Sequence, residues 1–142
     1  MGFFDLFRKL SFFKGRSVEG LQEDDLDFQK WIAAHRNWRR RLQDYINGTS
    51  VENLDENVIC HDDRCELGKW IHGNGSKFYK EENTFQQLVT DHACFHRSAA
   101  EVVGFHKKDD EKSARKTLQG DFDRYSMHVV AALERLEKQV KA

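Results

Sequence analysis

The sequence predicts an all-α fold, an antiparallel four-helix bundle with an additional N-terminal amphipathic helix, and three observations carry that expectation. None of the 142 residues is proline, the residue that costs about 3 kcal/mol in a helix interior. Apolar residues recur at three- and four-residue spacing through three long stretches, the period of a helix with one buried face. Glycines gather at a few positions, several of them between these stretches, where the chain must turn.

Each element follows in order. Phe3, Phe4, Leu6, Phe7, Leu10 and Phe13, with Asp5, Arg8 and Lys9 between them, make residues 3–13 an amphipathic helix. It is too short to span a bilayer, too interrupted by charge for a signal peptide, and has Leu6 where a myristoylation pattern needs Ser or Thr. Packing on its own bundle, docking to a partner and resting on a membrane surface through residues 3–13 are all open to it, the last not favoured. Residues 14–20 read as a linker, so the chain divides into an N-terminal segment, 1–20, and a helical domain, 21–142.

From Leu26 a long helix follows through Phe28, Trp31, Ile32, Trp38, Leu42, Tyr45 and Ile46, stopped by Asn47-Gly48. Residues 49–60 read as irregular. Residues 62–73 read as a short helix closed by Gly73-Asn74-Gly75, with Asp63 and Glu66 as a capping box that puts Cys65 in the first turn. Phe85, Leu88, Val89, Phe95, Ala99, Val102 and Val103 mark a long helix ending near His106. A last stretch from Ala114 through Leu118, Phe122, Tyr125, Val129, Leu133 and Leu136 to Val140 keeps close to a heptad.

Composition limits the function. Lys and Arg number 23 against 24 Asp and Glu, a net charge of −1, which excludes nucleic-acid binding by phosphate neutralisation. No apolar run approaches the roughly 18 residues of a membrane span. Three cysteines without a secretory signal predict free thiols in a reducing cytoplasm. The sequence has neither G-x-S-x-G nor a Walker A motif, and no enzymatic activity is expected.

The chemistry gathers at four residues. His35, His92 and His96 fall on the apolar stripes of their helices, and buried imidazoles left unpaired cost on the order of 1 to 3 kcal/mol each. His92 and His96 stand one helical turn apart, so both rings can converge on one ion. Cys65, near a helix N-terminus that favours thiolate, completes three imidazoles and a thiolate, a donor set suited to tetrahedral Zn2+. On the residues alone, inward histidines satisfied by protein groups remain the alternative.

Cys65-Glu66-Leu67-Gly68-Lys69-Trp70 resembles the Cys-x-Leu-Gly-x-Trp signature of the chemoreceptor zinc-binding (CZB) domain family. An upstream His and a downstream His-x-x-x-His pair complete that pattern, here His35, His92 and His96, at intervals of 30, 27 and 4 residues. The resemblance implies one zinc ion held by His35, Cys65, His92 and His96 in a four-helix bundle, usually a homodimer. It also implies sensing of zinc or of oxidants such as hypochlorous acid, with Cys65 as the redox-sensitive ligand. Family members are typically joined to chemotaxis receptors or diguanylate cyclases; 142 residues leave no room for either, so output is expected to pass through a signalling partner. Gly68 and Trp70 are expected to serve packing, Gly68 close approach and Trp70 the core.

Other readings of the same residues fit less well. A C₂H₂ finger through Cys60, Cys65, His92 and His96 would need about 12 residues where 26 separate Cys65 from His92. A di-iron bundle needs Glu-x-x-His motifs that are absent around His35, His92 and His96. A metal-independent helical adaptor docking through its Phe-rich N-terminal helix is the main alternative. Cys94 should point away from the flanking histidines, and His61, His72, His106 and His128 should lie at helix edges or in loops, solvated or capping.

Overall fold

The structure, a computed structural model, describes residues 26–141, and every regular element among them is helical. The all-α expectation holds. The amphipathic segment 3–13 and the linker 14–20 lie outside the described residues.

Helix α1 spans Phe28–Ile46. Its start is fixed by Asp27, whose carboxylate accepts the Lys30 N–H at 3.0 Å and so answers one of the free donors of the first turn. It stops at Asn47-Gly48, where Gly48 takes a φ of 77° open mainly to glycine. The face that periodicity marked is the one buried, including Phe28, Trp31, Ile32, His35, Leu42 and Ile46.

The stretch 49–60 contains one turn of helix, α2 (Glu56–Ile59), which the sequence reading does not anticipate. A single turn is too short to show a period; its one local signal is Asp55, which accepts the Asn57 N–H at 2.9 Å. Helix α3 (Glu66–Trp70) starts later than expected. Cys65, not Asp63, is its N-cap, because the sulfur accepts the Gly68 N–H at 3.3 Å. Nor does Gly73-Asn74-Gly75 end the helical path: a wide turn, Ile71–Gly75, absorbs a kink at Gly73 and leads into α4 (Ser76–Tyr79).

Helix α5 (Asn83–Lys107) is the longest and matches expectation. The heptad stretch does not form one uniform helix: α6 (Glu111–Thr117) and α7 (Asp123–Val140) are joined by a second wide turn, Leu118–Phe122. The wider turn takes up an extra residue locally, with Gly120 exposed on its outside and Leu118 and Phe122 fully buried. The apolar spacing therefore survives the irregularity.

Polar contacts fix the directions. Gln29 reaches Glu137 at 2.9 Å and Arg39 reaches Asp123 at 2.7 Å, so α1 and α7 run antiparallel. Gln139 reaches Thr84 at 3.0 Å, so α7 also runs antiparallel to α5. Lys107 at the end of α5 meets Glu56 of α2 at 2.9 Å, while Phe85 at its start packs on Trp70 of α3 at 5.7 Å between ring centroids. The path from α2 to α3 thus climbs α5 in the opposite sense, and Phe28, Leu42, Leu88, Phe95, Phe122 and Leu133 fill the space between.

Phe122, buried in the second wide turn with its ring 5.0 Å from that of Phe95, tests whether that turn is integral to the core. Phe122→Ala is expected to cost about 3–5 kcal/mol, read as a lower urea midpoint; a loss under about 1 kcal/mol would show the turn to be only loosely packed.

Candidate metal centre

Three elements bring the four predicted ligands together. His35 projects from the buried face of α1, His92 and His96 from one face of α5, and Cys65 from the N-cap of α3. One donor atom from each lies within 4.8 Å of every other. His92 Nε2 is 3.2 Å from His35 Nε2 and 3.1 Å from His96 Nε2. Cys65 Sγ is 3.4 Å from His92 Nε2 and 3.6 Å from His96 Nε2.

Backbone carbonyls set which nitrogen faces inward. His35 Nδ1–H donates to the Trp31 carbonyl at 2.7 Å, and His96 Nδ1–H donates to the Ile59 carbonyl of α2 at 2.9 Å. Neutral rings so bonded carry no proton on Nε2, so both point lone pairs at His92. A proton on His92 Nε2 answers one of them well, not both. His92 Nδ1, meanwhile, is buried without a hydrogen-bond partner. In an interior where unpaired polar atoms are costly, a cation among the three Nε2 atoms would answer the lone pairs that a single proton cannot.

The spacing fits one. Zn–N bonds of about 2.0–2.1 Å and a Zn–S bond of about 2.3 Å in a tetrahedron require N···N edges of about 3.3 Å and N···S edges of about 3.6 Å. Four of the six edges, 3.1, 3.2, 3.4 and 3.6 Å, follow that pattern with the sulfur edges longer, and the two from His35 to His96 and to Cys65 lie within 4.8 Å. The donor set is borderline-soft, as zinc prefers, and no carboxylate belongs to it.

Burial keeps the imidazoles neutral. Loss of solvation lowers the His35 pKa to about 4 and that of His92 to about 2, the latter pushed further by His96 and His35, and it lowers His96 as well. Metal ligation requires this neutral form. The thiol behaves otherwise than the sequence suggests: although the Gly68 N–H favours thiolate, burial prevails and raises the Cys65 pKa, with the Asp62 carboxylate pushing the same way. A bound dication reverses that balance by deprotonating its thiol ligand.

Both motif residues are closely packed. Gly68 lies so close to the preceding chain that a Cβ there would run into the Asp62 carbonyl. Trp70 is buried among Phe28, Trp31, Tyr79 and Phe85. Cys60 is exposed and Cys94, half-buried beside Arg97, stands outside the cluster; the finger built on Cys60 has no counterpart here. Sequence reasoning missed the carbonyls of Trp31 and Ile59, which no side-chain pattern encodes. It also missed the pairing of Asp62 with His72 at 3.5 Å.

Residues 35–103 match the chemoreceptor zinc-binding domain family, a span that opens on His35 and includes the other three ligands. This chain contains a chemoreceptor zinc-binding domain. No curated protein and no solved structure matches it. Within the CZB domain the His35, Cys65, His92 and His96 cluster is the group able to hold the metal.

Two outcomes check the centre. Gly68→Ala, which touches no ligand, is expected to cost about 1–3 kcal/mol through overpacking and to weaken zinc binding by displacing Cys65; unchanged zinc affinity would separate the close approach from the metal. For the metal-free chain, His35 and His92 hold pKa values near 4 and 2 when folded against about 6.5 unfolded. As pH falls below about 6.5 the unfolded state takes up protons that the folded state refuses, so stability falls with pH. Urea midpoints at pH 7.5, 6 and 5 should decline in that order; a flat series would show the rings to be solvated.

Proposed function

We propose that this domain is a zinc-dependent sensory or regulatory module, binding one Zn2+ per chain through His35, Cys65, His92 and His96 and answering zinc availability or oxidation of Cys65. The observation that carries this reading is four donors within 4.8 Å of one another, contributed by three helices distant in sequence. In this reading α1, the α2–α4 path, α5 and α6–α7 form an antiparallel four-helix bundle whose second member is broken where the ligand Cys65 enters.

Bound zinc supplies a dication that satisfies three inward imidazoles and holds Cys65 as thiolate. With four protein ligands no coordination position is left for an activated water, which speaks against hydrolysis. His35 then ties down α1, Cys65 the start of α3, and His96 both α5 and, through the Ile59 carbonyl, α2. In oxidant sensing, the Cys65 thiolate takes the oxygen of hypochlorous acid, giving a sulfenic acid and chloride. The sulfur then loses its anionic donor character, and the short segments around it are released from α5. Output passes through a homodimer interface or a signalling partner, a chemoreceptor or diguanylate cyclase system, in the cytoplasm.

Native mass spectrometry with elemental analysis tests this on wild type, Cys65→Ala and His35→Ala. One zinc per chain, weakened in both variants, is expected, and the same spectra report dimers. Metal-free wild type after zinc-replete expression would overturn the reading in favour of a metal-independent adaptor. Hydrogen exchange then tests the switch: faster exchange over residues 56–79 is expected on zinc removal or oxidation, and identical profiles would leave a structural zinc without sensing.

A further inference from the structure

Phe3, Leu6, Phe7, Leu10 and Phe13 recur at three- and four-residue spacing, with Phe4 at the border of their stripe, and all precede the first metal ligand in the chain. The charges around them are sorted as well. Arg8, Lys9, Lys14 and Arg16 stand against Asp5 alone in residues 1–16, and acids resume only at Glu19, Glu23, Asp24 and Asp25. Because the whole chain carries a net charge of −1, acids outnumber bases in the rest of it.

The helical domain closes its core without that stripe. Where the chain enters α1, Leu26 is 4% and Phe28 0% exposed. Phe28 is covered by the domain's own residues: Trp31 and Trp70 meet its ring edge-on with centroids 5.3 and 6.2 Å away, and the Lys141 ammonium lies over it at 5.9 Å. The large apolar side chains left exposed among the described residues are Val51 ahead of α2, Val58 on α2 and Met127 on α7. Others that are half-buried, such as Trp38, Val89 and Tyr125, already pack against the core. Three side chains from three segments do not make a face for a stripe of three Phe and two Leu.

On the sequence alone a membrane surface is not favoured for this stripe; the closed domain reverses that. A lipid interface supplies hydrocarbon for the Phe and Leu side chains and anionic headgroups for the Arg and Lys side chains beside them. A groove on a protein partner would be read chiefly through the apolar anchors and would leave the segregation of cations from acids without a use. We propose that residues 3–16 bind the domain to an anionic membrane surface, with the Phe and Leu stripe at the boundary between headgroups and acyl chains and Arg8, Lys9, Lys14 and Arg16 among the headgroups. The acid-rich remainder is repelled by the same headgroups, which confines contact to this segment and makes residues 17–25 the tether of the domain. The inference is independent of the zinc-binding reading.

The test uses the full chain as wild type, Phe7→Ser with Leu10→Ser, and Arg8→Gln with Lys9→Gln, each sedimented with vesicles of phosphatidylcholine alone or of phosphatidylcholine mixed with phosphatidylglycerol. Wild type is expected to bind the mixed, anionic vesicles at least tenfold more strongly than the neutral ones and to lose most of that difference at high salt. Phe7→Ser with Leu10→Ser should weaken binding to both vesicles at least tenfold, whereas Arg8→Gln with Lys9→Gln should weaken it about tenfold on the anionic vesicles alone. Melting temperature should stay at the wild-type value in both variants. Wild type left in the supernatant with anionic vesicles would overturn the proposal and leave a protein groove as the destination of the stripe. Binding that neither pair of substitutions weakens would overturn it by moving the contact to the domain. A lower melting temperature in Phe7→Ser with Leu10→Ser would overturn it in favour of packing on the domain, and loss of dimers in that variant, read by sedimentation velocity without vesicles, in favour of contact between copies.

Discussion

The structure depends on four lone-pair donors facing one another in a dry interior. Two of the imidazoles cannot turn away, because their outer nitrogens are held by the carbonyls of Trp31 and Ile59 at 2.7 and 2.9 Å. Other features follow from that convergence. Helix α2 must sit where its last carbonyl meets His96, Cys65 must cap α3 rather than lie inside it, and Gly68 must lack a side chain for the chain at Asp62 to pass. In a purely apolar core none of these requirements would exist. A dication converts mutual repulsion into attraction at every edge of the cluster, which is why metal binding and folding share one free energy in such sites.

The surrounding aromatic packing is part of the same arrangement. His35 lies 4.9 Å from the Phe95 ring centroid, and Phe95 in turn stacks obliquely on Phe122 at 5.0 Å. Trp31, Trp70 and Phe28 form a second buried aromatic group, with centroids 5.3 Å apart for Trp31–Trp70. Burial in this core keeps His35 and His92 unprotonated well below neutral pH. The core thus does more than hold helices together: its dryness sets the protonation state that ligation needs. The same dryness raises the Cys65 thiol, so in the metal-free chain the sulfur waits as a thiol.

Much of this was legible in the sequence, for identifiable reasons. His35, His92 and His96 declared themselves by standing where periodicity demands apolar residues, and a buried polar group always demands a partner. Cys65 was legible from the Gly68 and Trp70 around it. The long helices α1 and α5 were legible because each spans several turns of a regular period. What escaped lacks a period: α2 is one turn long, and the wide turns at Ile71–Gly75 and Leu118–Phe122 preserve the apolar spacing while changing the helix. The capping box at Asp63 misled because a cysteine sulfur can accept the capping hydrogen bond as well as a carboxylate can. The carbonyl partners of the histidines belong to the backbone and leave no mark on residue identity.

The ligands are unequal in a way that bears on regulation. Three are neutral, buried imidazoles that do not undergo thiol oxidation, whereas the fourth is anionic when bound, only partly buried and oxidisable. A site built only for stability would bury its sulfur with the rest. Here the one ligand whose loss removes the only negative charge is also the least buried of the four. In the proposed sensory reading, oxidation and zinc loss both break the bond between Cys65 and the metal. That shared step would make zinc depletion and thiol oxidation two routes to one altered packing of α2 and α3 against α5.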